Sequence, residues 1–251
     1  DVAGNSATSN TDTFSVDNTD PAAAITSDIV WNNDGVVTVT WTASDATSGI
    51  DTCTLTISDG QTYDCSDGDG SEIGTQFTMA DGADYTATIT IADVAGNSAT
   101  SNTDTFSVDN TDPAAAITSN FAWDNDGSVD IAYTSSDDGS GIASCTLTMS
   151  DGQTADCLAN ASPATFAMND NTANSASITI VDVAGNSFTT DDFSFGVDDT
   201  DPAAAITSDI VWNNDGIVIV LHTASDGGSG IDTCTLTISD GQTYDCSDGD
   251  G

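Results

Sequence analysis

Of the 41 acidic residues in this chain all but Glu72 are Asp, and there is no Lys or Arg. The formal net charge is −41, and His222 is the single His. A carboxylate here has no cationic side chain to pair with except that histidine. Two carboxylates 4 Å apart repel by ~1 kcal/mol in bulk water and ~4 kcal/mol near a protein surface. Clusters of three or four therefore need cations from solution. A salt-adapted surface would use Glu as freely as Asp. Asp alone points to turns and to oxygen ligands held close to the backbone. The chemistry these residues are suited to is the binding of hard divalent cations, calcium foremost. The same charge excludes nucleic acid and anionic membrane surfaces as partners.

The six Cys form three pairs of one spacing, Cys53/Cys65, Cys145/Cys157 and Cys234/Cys246. Even number and strict repetition predict disulfides in an oxidising, extracellular compartment. A zinc site would need further Cys or His. Catalysis finds no such support. His222 has no Ser or Cys nucleophile arranged with it. A pair of carboxylates is meaningless without a cleft among so many acids. The expectation is a protein that is not an enzyme.

The elements that would position these residues are repeated. DVAGNSATSNTDTFSVDNTDPAAAITS occupies Asp1–Ser27 and returns unchanged at Asp93–Ser119, with a diverged copy at Asp182–Ser208. A fixed period near about 90 residues predicts an array of domains. The expected division is residues 1–18 as the last strand of a preceding repeat, 19–110 and 111–199 as whole repeats, and 200–251 as the first part of another. The chain reads as a window on a longer array, and no signal peptide or apolar membrane span is present.

Period-two alternation dominates. Val37, Val39 and Trp41 alternate with Thr38, Thr40 and Thr42. Cys53, Leu55 and Ile57 alternate with Thr52, Thr54 and Thr56. Asp59-Gly60 is a hairpin signal. A three-residue loop with Gly60 left-handed sets Ile57 opposite Gln61, Leu55 opposite Tyr63 and Cys53 opposite Cys65, the geometry of a cross-strand disulfide. Seven short strands per repeat, parted by Gly/Asp turns, predict an all-β fold, a tandem array of seven-stranded immunoglobulin-like β-sandwich domains. Short linkers predict stiff joints.

The turn DVAGN, the last strand TFSVD, the joint NTDP and the loop SDATSGI (Ser44–Ile50) together resemble the bacterial immunoglobulin-like repeats of giant calcium-dependent surface adhesins. The resemblance implies stalk repeats with calcium at the joints, and binding functions carried by other domains. Cysteine pairs and a total lack of Lys and Arg depart from that family's usual pattern.

On such a sandwich the second loop, the DVAGN turn and the incoming linker meet at one pole. For the first whole repeat the candidate calcium ligands are Asp17, Asp20, Asp45, Asp93 and Asn97, with Asp51 beside them. For the second they are Asp109, Asp112, Asp137, Asp182 and Asn186, with Asp138. The third start offers Asp198, Asp201 and Asp226, with Asp199 and Asp232. Calcium takes six to eight oxygens, which such carboxylates and nearby carbonyls would supply. Asp28, Asn32, Asp34, Asp81 and Asp84 lie at the opposite pole. Solvated Asx turns are the alternative reading of all these acids. Asp67–Glu72 looks like part of a calcium loop, but its counterpart Leu158–Pro163 has no acid, so a solvated loop is expected.

Trp31, Trp123 and Trp212 recur before the second strand, either capping the sandwich end or stacking on carbohydrate. Asn160-Ala161-Ser162 is a glycosylation sequon weakened by Pro163. Ile219 and Leu221 replace Thr38 and Thr40 on an outward face, which suggests contact with another chain or local drift. The expected function is stalk or fibre material at the cell surface. A self-assembling filament and a glycan- or ice-binding module are the other classes. The expected partners are other copies or neighbouring repeats, with surface glycans as a further candidate.

Overall fold

A computed structural model describes residues 1–158, 162–209 and 216–247. It falls into two compact units, Asp1–Thr111 and Asp112–Gly251, each treated by itself. Among the described residues every regular element is a β-strand. The sequon positions 160 and 161, and Trp212, lie outside the described residues.

The first unit contains β1 (Ala22–Ile25), β2 (Trp31–Asn32), β3 (Val36–Ser44), β4 (Ile50–Ile57), β5 (Thr62–Asp64), β6 (Ile73–Thr78), β7 (Gly82–Asp93), β8 (Ser98–Thr100) and β9 (Asp104–Val108). One sheet runs β1-β3-β6 and the other β2-β9-β7-β4-β5, with β8 also on β7. The nine segments make seven strands. β1 and β2 are one chain that changes sheets, and β8 and β9 are one strand broken at Ser101–Thr103. Asn102 occupies that break: its Oδ1 accepts from Ile25 N at 2.9 Å and its Nδ2 donates to Ile25 O at 3.1 Å. The fold is a seven-stranded immunoglobulin-like β-sandwich.

Alternation decides which faces meet. Val37, Val39 and Trp41 are buried against Leu55, Ile57, Ile89, Ile91, Phe77 and Phe106, while Thr38 and Thr40 point away. Trp41, fully buried, donates its indole N–H to Thr75 Oγ1 at 3.0 Å, so the largest core side chain leaves no polar atom unsatisfied. The β4–β5 register pairs Leu55 with Tyr63, and Ile57 N donates to Gln61 O at 2.9 Å across the turn. Gly60 sits at φ 98°, a conformation that side chains other than Gly rarely adopt. The predicted three-residue loop therefore forms, and Cys53 and Cys65 are disulfide-bonded with Cα atoms 4.8 Å apart.

The second unit repeats this plan with β10 (Ala114–Ile117), β11 (Trp123–Asp124), β12 (Ser128–Ile131), β13 (Tyr133–Ser136), β14 (Ile142–Met149), β15 (Thr154–Asp156), β16 (Ala164–Ala167), β17 (Asn171–Asp182), β18 (Ser187–Thr189) and β19 (Phe193–Val197). Its larger sheet runs β11-β19-β17-β14-β15. The long strand of the first unit is here divided into β12 and β13 at Ala132, whose N–H donates to Ser119 Oγ at 2.8 Å. Cys145–Cys157 and Cys234–Cys246 are bonded as expected.

Within the same unit β20 (Ala203–Ile206), β21 (His222–Ser225), β22 (Thr235–Thr237) and β23 (Thr243–Asp245) begin a further repeat. Ile219 and Leu221, expected on an outward strand face, precede β21 and are 69% and 58% exposed. In the first unit the matching stretch is held by β6 over Val36–Trp41, whereas among the described residues no strand of a β6 kind pairs with this stretch of the further repeat. Val218, an inward position by alternation, is 58% exposed for the same reason.

Removing the hairpin bridge by Cys53→Ala with Cys65→Ala is expected to lower the unfolding free energy by about 3 kcal/mol, the loop-closure value for a loop of this size. Urea denaturation measures it, and reductant acting on the native chain should move the transition the same way.

Candidate metal centre

The DVAGN turn is a clasp built around its first residue. At the end of β7 the buried Asp93 accepts the backbone N–H of Asn97 on Oδ1 at 2.8 Å and the Asn97 amide on Oδ2 at 2.7 Å. Asp93 N in turn donates to Asn97 O at 3.0 Å. The other two copies are made alike. Asp182 accepts from Asn186 N at 2.8 Å and Nδ2 at 2.7 Å, and Asp1 accepts from Asn5 N at 2.9 Å and Nδ2 at 3.0 Å. Asn97 therefore serves Asp93 as a donor, and its Nδ2 also donates to the backbone O of Asp17 at 3.3 Å.

The loop after β3 is a second such device. Asp45 Oδ2 accepts three successive N–H groups, from Thr47 at 3.0 Å, Ser48 at 2.9 Å and Gly49 at 2.8 Å. Gly49 O then accepts from Val94 N at 3.0 Å, which ties this loop to the DVAGN turn. The incoming linker adds Asp17, whose Oδ1 accepts from Thr19 N and Oδ2 from Ser48 N, both at 3.0 Å. Ser48 N is thus shared between Asp17 and Asp45.

These contacts bring Asp17, Asp45 and Asp93 together, one oxygen of each lying within 4.8 Å of the others. Asp17 and Asp45 are half-buried and Asp93 is buried. Burial pushes the Asp93 carboxyl up, but the Asn97 amide and N–H groups more than offset it, and the group lies below its ordinary range. Thr19 N–H, with Ser48, likewise holds Asp17 down. Both carboxyls stay ionised at neutral pH. Donated hydrogen bonds stabilise each anion singly but do not cancel the repulsion among three.

The donor set fits a hard divalent cation. All the ligand atoms are oxygens, the preference of calcium and magnesium. Asp45 accepts all three hydrogen bonds on Oδ2, which leaves Oδ1 for a cation. Ser48 Oγ is buried in the same loop without a hydrogen-bond partner. Ser48 is the position that sequence reasoning missed. Its signal was the Ser-Gly-Ile triplet that follows the loop acid at Ser48, Ser140 and Ser229.

The remaining expected ligands fall in several places. Asp20 and Asp51 are exposed and stand outside the three-acid group. In the first unit Asp109 Oδ1 accepts from Thr111 N at 3.2 Å. In the second, Asp137 accepts from Gly139 N at 3.1 Å and Gly141 N at 2.6 Å, repeating the Asp45 loop, while Asp112, Asp138, Asp201 and Asp232 are exposed. Asp198 accepts from Ser229 N at 2.6 Å, as Asp17 does from Ser48, and Asp226 accepts from Gly230 N at 2.6 Å. The Ser229 N–H holds Asp198 below its ordinary value.

Asp199 is placed apart from Asp226, beside Asp170. The opposite-pole acids cap turns: Asp34 Oδ1 accepts from Val36 N at 2.9 Å, and Asp81 accepts from Asn110 N at 2.9 Å and Thr111 Oγ1 at 2.7 Å. The Asn110 amide, its nitrogen turned to the carboxylate, also donates to Asp81 at 2.6 Å and 3.0 Å. In the second unit Asp199 replaces that Asn. Asp170 takes the Asp199 N–H and the Thr200 hydroxyl, both at 2.8 Å, and lies below its ordinary value, while hydrogen bonding to and repulsion from Asp170 push the Asp199 carboxyl up. Asp69 in the Asp67–Glu72 loop caps Ser71 N at 2.9 Å, and that loop contributes to no three-acid group among the described residues.

No known protein family matches the sequence, and no match is found among the curated proteins. Solved structures do overlap it. Fibronectin(III)-like modules of Clostridium thermocellum CbhA are 15% identical, covering 70% of this chain and 94% of theirs at a TM-score of 0.39. The Bacteroides ovatus mixed-linkage glucan utilization locus protein SGBP-B, solved with a mixed-linkage heptasaccharide, is 13% identical over 90% of this chain and 66% of its own, with a TM-score of 0.28. The BSP domain of a biofilm associated protein is 19% identical over 72% and 30%, with a TM-score of 0.23.

Asp199→Asn restores the residue of the first unit and is expected to raise the melting temperature at pH 7. A raised carboxyl means the native state holds its proton more tightly than the unfolded chain. Its stabilising contribution is present at low pH and lost as pH rises through the folded value. The gain from Asn should therefore be seen at neutral pH and shrink as the pH falls below the ordinary carboxylate range. Thermal scans across pH measure it, and a variant no more stable than the parent at pH 7 contradicts the assignment.

Proposed function

We propose that the chain is structural repeat material from an extracellular or cell-surface stalk or fibre, stabilised by calcium at the joint acids and by one disulfide hairpin per repeat. The observation that carries the reading is the convergence of Asp17, Asp45 and Asp93 in a chain without Lys or Arg. Three linker and loop carboxylates, anchored by N–H groups, await charge that only solution supplies. A cation bound by all three ties the linker to both loops of the sandwich that follows it.

The other features agree with an exposed mechanical role. Disulfides suit an oxidising compartment. Absence of Lys and Arg removes every trypsin site. The reading assigns no catalysis. Calcium is the cation favoured, because carboxylates on flexible loops match its tolerant oxygen geometry better than the strict octahedron of magnesium.

Calorimetric titration of the calcium-free chain with calcium is expected to show saturable binding, with a melting temperature that rises with calcium and falls on adding EDTA. Asp45→Asn keeps an oxygen to cap the loop while deleting the charge. It should raise the melting temperature in EDTA by relieving repulsion, yet reduce the further gain on adding calcium. A melting temperature indifferent to calcium in the parent chain would overturn the proposal.

A further inference from the structure

The two units differ at the edge of the larger sheet, where the recurring tryptophan sits. β2 and β11 pair in parallel with the last strand, setting Trp31 beside Ser107 and Trp123 beside Gly196. At Gly196 a Cβ would fall 2.4 Å from the indole ring of Trp123, so that ring lies directly on bare backbone. Trp123 is 39% exposed. The next strand carries the second difference. In the first unit Tyr85 stacks on Phe106 with centroids 5.8 Å apart and donates its hydroxyl to Ala80 O at 3.2 Å. At that place the second unit has Asn174, which is 4% exposed and donates from Nδ2 to Asn171 O at 3.1 Å. A large aromatic has been exchanged for a short buried amide.

Asn174 is in register with Phe195 and shares its inward face, whereas the indole lies over Gly196 on the outer face. Beside the indole on that outer face is a hollow of about 490 Å³, lined by Trp123, Thr172, Ser175, Asp192 and Ser194. That volume is in the range of small-ligand sites. We propose that this hollow binds a sugar residue of a neutral polysaccharide. A pyranose has an apolar C–H face, which rests on the negative π face of an aromatic ring, and a girdle of hydroxyls. Thr172, Ser175 and Ser194 hydroxyls and the Asp192 carboxylate supply donors and acceptors for that girdle.

The face continues away from the hollow in uncharged hydroxyls. Thr146 is in register with Thr179, and Thr179 with Thr189, their hydroxyls 3.1 Å apart in the second pair. Thr148 is likewise opposite Ser177 and Thr154. With strands about 4.8 Å apart, this lattice extends the contact beyond one sugar. The charge of the molecule selects the partner: at −41, an acidic polysaccharide is repelled and a neutral one is not.

The test is calorimetry of the full chain with cellohexaose, xylohexaose and mannohexaose, and with hexagalacturonate as the anionic counterpart. Saturable binding of at least one neutral hexasaccharide, and none of hexagalacturonate, is expected. Trp123→Ala should weaken it about tenfold, the loss of one stacking contact. Gly196→Ser, which restores the first unit's residue and whose Cβ would displace the indole, should do the same, whereas Trp31→Ala should leave it unchanged. Circular dichroism verifies folding, and Gly196→Ser decides the matter if Trp123→Ala unfolds. Absence of saturation by every neutral hexasaccharide, or parental affinity in the folded Trp123 and Gly196 variants, would overturn the proposal.

Discussion

Like-charge repulsion without an internal counter-charge is the constraint on which the rest of this structure depends. In most proteins a carboxylate is placed against Lys or Arg. Here it must be placed against a backbone N–H, an amide, a hydroxyl or an ion. The folded chain meets this almost entirely with backbone. Asp45 gathers three N–H groups, Asp93 gathers Asn97, and Asp34, Asp59, Asp69, Asp151 and Asp240 each cap the residue two further on. Asp rather than Glu follows directly, because the shorter side chain reaches its own local backbone. The acids are consequently drawn into turns at the ends of strands.

That placement leaves the sheet faces largely uncharged, with Asp51 and Asp130 among the exceptions, and lets an ordinary apolar core form inside a strongly charged molecule. Trp41, Phe77 and Phe106 with aliphatic neighbours fill the first unit, and Phe166 and Phe195 take part in the second. Such a core is modest in size, and the disulfide lies where it adds most. It joins an edge strand that has few apolar residues of its own: β5 is exposed throughout, and only Cys65 just beyond it is fully buried. Without the bridge, β5 would rest on backbone pairing with β4 and on the contact of the Tyr63 ring with Trp41.

How much was legible before the structure depended on whether the determining interaction was local. The Cys53–Cys65 register followed from one Asp-Gly turn, and the inward faces followed from alternation. Both are short-range and repeat three times. The clustering of Asp17, Asp45 and Asp93 was legible only through an assumed sandwich topology, and the reading could not separate them from Asp20 and Asp51, which local sequence makes equally plausible. Ser48, Asn174 and Gly196 were not legible, because what they do depends on partners distant in the chain. The parallel pairing of Trp31 with the last strand is of the same kind. The break of the final strand at Asn102 needed knowledge that Ile25 would stand opposite.

The repeats also show which positions the scaffold holds fixed and which it releases. The Asp-Asn clasp, the loop acid with its Ser-Gly-Ile and the disulfide hairpin keep their geometry in both units, and all are turn or pole features that satisfy polar groups. The exchanges of Ser107 for Gly196 and Asn110 for Asp199 lie instead against the edge strand and at the opposite pole, and that of Tyr85 for Asn174 on the inward face of the strand beyond. A buried polar clasp loses several interactions if one member changes, so it varies as a unit or not at all. An edge strand loses only one side of its packing, and the Phe121, Phe193 and Phe195 cluster of the second unit, with centroids 5.3–5.7 Å apart, makes up the apolar contact that Tyr85 supplies in the first. A scaffold that stores its stability in local clasps and a bridged hairpin is free to reshape that edge, and this is where the second unit has acquired a surface the first does not have.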